Sequence, residues 1–425
     1  MNIAALHKIF LQHPNATTDT RKIKKNDIFF ALKGADFNGN EYAAKAMEQG
    51  ASYSIIDEKE FLINEKTIFV KDVLQTLQQL ANFHRHYCKA KIISLTGSNG
   101  KTTTKELINA VLSKKYNTVA TQGNLNNHIG VPLSLLRMTT DTEIAVIEMG
   151  ANHQKEIEFL STIAEPDFGY ITNFGKAHLE GFGGVEGVIK GKSELYQYLM
   201  AQNRIIFMNA DDAIQREKLS SYVQTYGYSQ TNRHYFNIKM TKADPFVELL
   251  VEETTITSQL IGSYNFTNCC AAVIMGKHFN VPIAQIKEGI ENYVPANNRS
   301  QLLEHKGHKI ILDAYNANPT SMAAALENFA QIDVASKILF LGDMFELGET
   351  AGEEHQAIAD LSKSLGFTNV YLIGENFFKV NTEFYQFKTY NDIENHLEDH
   401  KITKTSTLLI KGSRGMALER ILDVL

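Results

Sequence analysis

At 425 residues the chain is longer than one hydrophobic core usually serves, so two or three domains are expected. Its 44% hydrophobic and 21% charged content is ordinary for a soluble enzyme, and a formal net charge of −6 excludes a general nucleic-acid binder, which needs a basic face. Three cysteines (Cys88, Cys269 and Cys270) are too few for a disulfide framework, no apolar run of about 18 residues could span a membrane, and the start lacks a secretory leader, so a cytosolic monomer is expected.

Residues 1–82 alternate short strands ("DIFFALKG", "SYSIID", "KTIFV") with helical stretches ("EYAAKAMEQGA" and a helix over 71–87 that leads into the next unit). From Lys91 the order becomes strand–helix–strand. "KIISLT", "EIAVIEMG" and "FGYITNFG" read as buried strands; "KTTTKELINAVLSKK", "HQKEIEFLSTIA" and "VEGVIKGKSELYQYLM" read as helices. This alternation predicts a mainly parallel α/β sheet with helices on both faces. Residues 232–262 change to a β-rich insert or edge, and a third alternating unit follows with strands "KIILDAY", "KILFLGD", "NVYLIG" and "TLLIKG". Boundaries near 83 and 298 divide the chain into units 1–82, 83–298 and 299–425.

The stretch "ISLTGSNGKTTTKEL" carries the first chemistry. A strand ends in small residues, Gly97 and Gly100 permit tight turning around Ser98 and Asn99, and a helix begins at Lys101. Backbone N–H groups at such a helix start cradle phosphate oxygens, Lys101 reaches the outer phosphates, and the Thr102 hydroxyl suits Mg²⁺. The longer form of this loop would place glycine where Leu95 stands, so the loop is a shortened one. Glu148 ends another apolar strand and can hold Mg²⁺, although alone it reads equally as an exposed strand-end residue. His178 lies in a glycine-flanked loop after the next strand and alone reads as structural. Loops from the ends of parallel strands converge on one sheet edge, which brings Thr102, Glu148 and His178 together.

"TGSNGKTTT" resembles the ATP loop of the Mur ligase family, which includes folylpolyglutamate synthetases and in which the shortened loop is usual. The resemblance implies three α/β domains, with a central P-loop parallel-sheet domain and a C-terminal Rossmann-like domain. It implies ATP bound by Gly97, Ser98, Asn99, Gly100, Lys101, Thr102 and Thr103, and two Mg²⁺ ions held by Thr102, Glu148, His178 and Lys192. "VIKGKSELY" is similar to a segment whose lysine is carbamylated, which points to Lys192, with Lys190 two residues earlier. "GSYNFTNCCAAV" is similar to a His-Asn-x-x-Asn stretch facing adenine: Tyr264 replaces the histidine, while Asn265 and Asn268 remain. From the residues alone Asn265 reads as a helix cap. Arg299, after Asn298 where glycine is usual, is implied to reach the phosphates, and Asp313 the ribose. Lys101, His178, Lys192 and Arg299 are the implied catalytic set.

Within the family, "TDTRKIKKNDIFFALKGADFNGNEY" resembles an amino-terminal domain for the uridine nucleotide, through Asp19, Thr20, Arg21, Lys33 and Gly34. "QGNLNNHIGVPLSLL" (Asn124, Asn126, Asn127) and "DAYNANPTSM" (Tyr315, Asn316) are similar to segments facing a muramyl peptide. "LGDMFELGE" and "LLIKGSRGM" resemble the C-terminal domain of the same ligase type, with Lys411, Ser413 or Arg414 as candidate anion contacts. The implied substrates are ATP, UDP-N-acetylmuramoyl-tripeptide and D-alanyl-D-alanine, joined through an acyl phosphate. A sister ligase adding one amino acid, and a non-ligase P-loop ATPase, are the alternatives.

Overall fold

The computed structural model describes residues 1–296, 298–402 and 404–425. Its centre is a nine-stranded sheet in the order Thr254–Ile261, Phe246–Val251, Phe236–Ala243, Thr225–Ser229, Ile205–Asn209, Phe168–Ile171, Lys91–Thr96, Ile144–Glu148 and Thr118–Ala120. The seven strands from Phe236–Ala243 to Thr118–Ala120 run parallel; Phe246–Val251 and Thr254–Ile261 pair antiparallel and form one edge. The predicted 232–262 insert is this edge. Strands at Thr118–Ala120, Ile205–Asn209 and Thr225–Ser229 escaped the sequence reading because their apolar runs are short and flanked by polar residues.

Strand periodicity explains why this sheet is covered on both faces. Ile93, Leu95, Ile144 and Val146 pack with Leu107, Ile108 and Val111 on one face, while Ile92, Ala145 and Ile147 join a core with Leu80, Val131 and Leu160 on the other. Leu95 is fully buried. The residue that departs from the longer phosphate-loop pattern is therefore a core residue of the strand, and the loop begins only after Thr96. Lys91–Thr96 lies between Ile144–Glu148 and Phe168–Ile171, where the connections turn to opposite sides. That is the switch point at which an open α/β sheet opens a crevice.

The amino-terminal unit is a four-stranded parallel sheet, Ala16–Thr17, Ile28–Phe30, Tyr53–Ile56 and Thr67–Phe69. The predicted helix at 41–51 is shorter, a 3₁₀ turn Gly39–Tyr42 running into helix Ala43–Glu48. The predicted 71–87 helix is Val73–Cys88; Asp72 caps it by accepting from Gln75 N, and Lys89 ends it in the left-handed region. It contacts both units: His7 of the first helix, Ile3–Gln12, meets His84, and Arg85 donates to the Ala164 and Glu165 carbonyls of the central unit. The predicted 185–200 helix is interrupted at Ser193, giving Val185–Lys192 and Glu194–Ala201.

The carboxyl-terminal unit is a six-stranded sheet in the order Gln301–His305, His308–Asp313, Thr407–Lys411, Lys337–Gly342, Val370–Ile373 and Tyr385–Phe387. All its pairs are parallel except the first hairpin. Helix Pro319–Gln331 starts with a capping box on Asn318 and Pro319 at the first position, as its sequence predicts. Among the described residues no helix is long and apolar enough to cross a membrane.

Candidate active site

The loop between Lys91–Thr96 and helix Lys101–Leu112 can turn only with glycine at two points. Gly97 has φ +145°, and a Cβ there would lie 2.0 Å from Thr172 Oγ1; Gly100 has φ +77°, and a Cβ there would lie 2.5 Å from Asn268 Oδ1. The following strand end braces the loop from the side. Asn173 Oδ1 accepts from Asn99 N, Thr172 Oγ1 donates to Asn99 O, and Ser98 Oγ donates to Gly175 O. Lys101 folds back, its Nζ donating to Gly97 O (2.7 Å) and Ser98 O (3.3 Å). Burial holds its pKa below the ordinary lysine value; the Glu148 charge opposes that shift and the Arg299 charge adds to it.

Glu148 is buried, and its carboxylate is aimed by two donors: Thr102 Oγ1 to Oε2 at 2.9 Å and Asn126 Nδ2 to Oε1 at 2.8 Å. The exposed strand-end alternative is thereby excluded. Among the described residues no group of three or more His, Cys, Asp and Glu side chains is arranged to hold a metal ion. His178 (φ +54°) does not turn to Glu148. Its Nδ1 pairs with Glu346 of the carboxyl-terminal unit, and this contact is the main cause that holds the Glu346 carboxyl below its usual range.

Lys192 is fully buried: its Nζ donates to Ala151 O at 3.1 Å and lies 4.9 Å from the Phe182 ring centroid. Burial, with the Lys101 charge second, pushes its pKa well below the ordinary lysine value, while Glu156 and Glu194 oppose. Lys190 is exposed and borders a different cavity, so burial separates these two lysines.

Lys101, Thr102 and Glu148 open on a cleft of about 460 Å³ between the central and carboxyl-terminal units, and Lys192 lies buried outside its lining. Ser98 to Thr103, Asn124, Asn126, Asn127, Glu148, His178, Asn265 and Asn268 line one wall; Arg299, Asp313, Tyr315 and Asn316 line the other. Asp313 accepts from Ser300 N on Oδ1 and from Lys411 Nζ on Oδ2 (2.5 Å), and the Arg299 guanidinium lies 3.6 Å from the Tyr315 ring centroid. Of the three candidate anion contacts only Lys411 reaches the cleft. Ser413 Oγ accepts from Phe345 N, and exposed Arg414 pairs with Glu419.

One expectation changes. Asn265 stands at the helix entrance, yet its side chain does not cap: Nδ2 donates to Ile261 O, and Oδ1 accepts from Asn268 Nδ2. A buried asparagine chain thus forms the floor of the cleft, ending with Thr104 donating to Asn268 Oδ1. Asp19, Thr20, Arg21 and Lys33 do not line the cleft. Arg21 is bound to Asp19, and Lys33 pairs with Asp57 and Glu58 in the amino-terminal unit.

The sequence reading missed the residues that fasten the two walls. Asn318 Nδ2 donates to Asn99 Oδ1 (2.7 Å), Lys176 N to Thr320 Oγ1 (2.9 Å), and Lys176 Nζ to Glu354 (2.6 Å). "LGDMFELGE" contained the signal for Glu346, but only the fold places it against His178.

Sequence patterns of the Mur ligase family match residues 15–94 (catalytic domain), 95–276 (middle domain) and 298–414 (glutamate ligase domain). The UDP-N-acetylmuramoyl-tripeptide–D-alanyl-D-alanine ligase of Bacillus subtilis is 33% identical over 99% of this chain and 96% of its own. The MurF crystal structure from Acinetobacter baumannii superposes with a TM-score of 0.84 at 30% identity, covering 96% of this chain and 92% of that one. The MurF ligase of Thermotoga maritima in complex with ADP gives the same TM-score at 25% identity, over 97% of both chains. With a phosphate loop at the sheet switch point, a second wall from the carboxyl-terminal unit and likeness along nearly its whole length, the chain belongs to the Mur ligase family.

Proposed function

We propose that this protein is an ATP-dependent, ADP-forming ligase that joins D-alanyl-D-alanine to UDP-N-acetylmuramoyl-tripeptide in peptidoglycan precursor synthesis. The observation that carries the reading is the single cleft in which Lys101, Thr102 and Glu148 face Arg299, Asp313 and Lys411. The division into units 1–82, 83–298 and 299–425 belongs to the same proposal, each unit having its own sheet.

In this reading the terminal carboxylate of the tripeptide attacks the γ-phosphorus of ATP, ADP departs, and an acyl phosphate forms. The amine of D-alanyl-D-alanine then adds to the activated carbonyl, and the tetrahedral intermediate expels orthophosphate. Lys101 exchanges the Gly97 and Ser98 carbonyls for phosphate oxygens, and the loop N–H groups meet the same anion. Arg299 counters the charge of transfer from the opposite wall. Asp313 retains lone pairs for ribose hydroxyls although each oxygen already accepts once. Asn265 and Asn268 underlie the base; Asn124, Asn126, Asn127, Tyr315 and Asn316 face the peptide. Asp19, Thr20, Arg21 and Lys33, set apart in the amino-terminal unit, take the uridine diphosphate end.

The donor set fits magnesium, because the Thr102 hydroxyl and Glu148 carboxylate are adjacent hard oxygens at the loop. When bound, the metal would screen the triphosphate against the incoming carboxylate; His178 would join the set on leaving Glu346, and water and phosphate oxygens would complete the shell. Lys192 fits a second position as a carbamate. Its depressed pKa leaves a neutral amine lone pair to add to CO₂, and the proton lost leaves an anionic oxygen donor.

The test measures ADP release while each substrate is omitted in turn. Release that requires both the tripeptide and the dipeptide is expected. Release that depends on a single amino acid would indicate a sister ligase, and release indifferent to both would indicate an ATPase.

A further inference from the structure

Tyr264 occupies the position where the family pattern has histidine, and the structure shows a contact that depends on the phenol. Gly262 (φ +94°) makes room for the ring, since a Cβ there would lie 2.4 Å from it. The ring lines the cleft, and its hydroxyl reaches Ser300 Oγ at 3.0 Å, linking the central unit to the first turn of the carboxyl-terminal unit. A phenylalanine has no hydroxyl, and an imidazole is a shorter ring. Burial foremost, and the Asp313 charge second, hold the phenol above its ordinary pKa, so it stays protonated through the neutral range.

Ser300 lies in a strained segment. Asn298 (φ +56°) and Ser300 (φ +48°) are both in the left-handed region without being glycine, and they flank Arg299. Such a conformation is unfavourable for a residue with a Cβ and persists only where its surroundings hold it. Here Ser300 is held twice, by Tyr264 through its hydroxyl and by Asp313 Oδ1 through its N–H (3.1 Å). The same segment therefore sets Arg299 on the Tyr315 ring and positions the Asp313–Lys411 pair.

We propose that Tyr264 is a positioning residue: through its hydroxyl bond to Ser300, a nucleotide packed on the ring fixes the Asn298–Ser300 hinge and so sets Arg299 and Asp313 across the cleft. The proposal rests on the reading of this cleft as the nucleotide site. The face of the ring serves the nucleotide and the hydroxyl serves the hinge, so the two roles separate in Y264F.

The experiment attaches a donor and an acceptor dye to cysteines introduced on the surfaces of the central and carboxyl-terminal units, the three native thiols being buried. Interdomain distance is followed without nucleotide and with saturating AMPPNP, together with AMPPNP affinity and steady-state kinetics. Y264F is expected to keep AMPPNP affinity and the KM for ATP within about twofold while its closed-to-open ratio and kcat fall about fivefold, the weight of one net hydrogen bond. S300A should match it, and Y264F/S300A should be no worse than either single variant, because both remove the same bond. Closure of Y264F equal to wild type, a loss confined to affinity, or a double variant equal to the product of the singles would overturn the hinge role. Failure of the wild type to bind AMPPNP would instead overturn the nucleotide reading on which the proposal stands.

Discussion

On the central wall of the cleft, residues 96–104 hold strand end, glycine turns and helix start in one stretch of chain, whereas the facing wall gathers Arg299, Asp313 and Lys411 from separate segments. The first wall is anchored by the core. Leu95 before the loop and Leu107, Ile108 and Val111 after it are fully buried, so the cradle exists whether or not a ligand is present. The second wall depends on a strained hinge and on contacts between units that are half-exposed, such as His178–Glu346 and Lys176–Glu354. The difference teaches that the phosphate cradle is preformed in this protein, and it predicts that the full catalytic set assembles only as the two units close.

The most damaging way to break the first wall is Lys101→Ala. The γ-phosphate loses its principal cation, and kcat should fall about 10³-fold or more with the circular dichroism spectrum unchanged. Full turnover in this variant would refute the loop assignment.

The second wall breaks through its buried pair. Lys411 is only 2% exposed, so Asp313→Ala leaves a buried ammonium without its partner. Urea unfolding should show a loss of about 3 kcal/mol, and D313A/K411M should recover much of it. An unchanged unfolding midpoint in D313A would show that the ion pair does not hold the wall.

Lys192→Met sharpens the contrast between stability and function. Because the folded-state pKa of Lys192 is depressed, the unfolded chain binds more protons between that value and the ordinary lysine pKa of about 10.4, so the lysine lowers stability there. K192M should lose activity yet melt a few degrees higher at pH 7, and that gap should narrow as pH rises toward the ordinary value. A wild-type protein incubated with ¹³C-bicarbonate should show a carbamate carbon resonance that K192M lacks. A melting difference independent of pH would contradict the buried neutral amine.

Glu346→Gln should have the smallest effect. The pair with His178 is half-exposed and screened, so kcat should fall only about two- to fivefold, with a matching rise in the open population by small-angle scattering. A loss as large as that of K101A would mean that Glu346 acts directly on the reacting groups.

The same contrast explains what was legible in the sequence. The phosphate loop was readable because its strand, glycines, lysine and helix are contiguous and each has a local reason. Asn318 was readable as a helix start for the same cause. Its bond to Asn99 was not, since it joins residues far apart in the chain, and neither was the engagement of His178 by Glu346. Asn265 shows the limit from the other side. Its sequence context fits a cap, but the nearby Ile261 carbonyl and Asn268 amide offer buried partners, and they win because an unpaired buried amide costs more than an uncapped turn. Burial likewise distinguishes Lys192 from Lys190, a distinction that a two-residue spacing on a helix leaves open.

The proposed ligation depends most on the carboxylate of the muramyl tripeptide taking the phosphoryl group. With that carboxylate labelled by ¹⁸O and a single turnover run with ATP and D-alanyl-D-alanine, mass spectrometry of the released orthophosphate reads the route directly. One ¹⁸O per phosphate is predicted, because the acyl C–O bond breaks when the tetrahedral intermediate expels orthophosphate. Phosphate carrying only oxygen from ATP and solvent water, with both labels retained on the peptide, would contradict it.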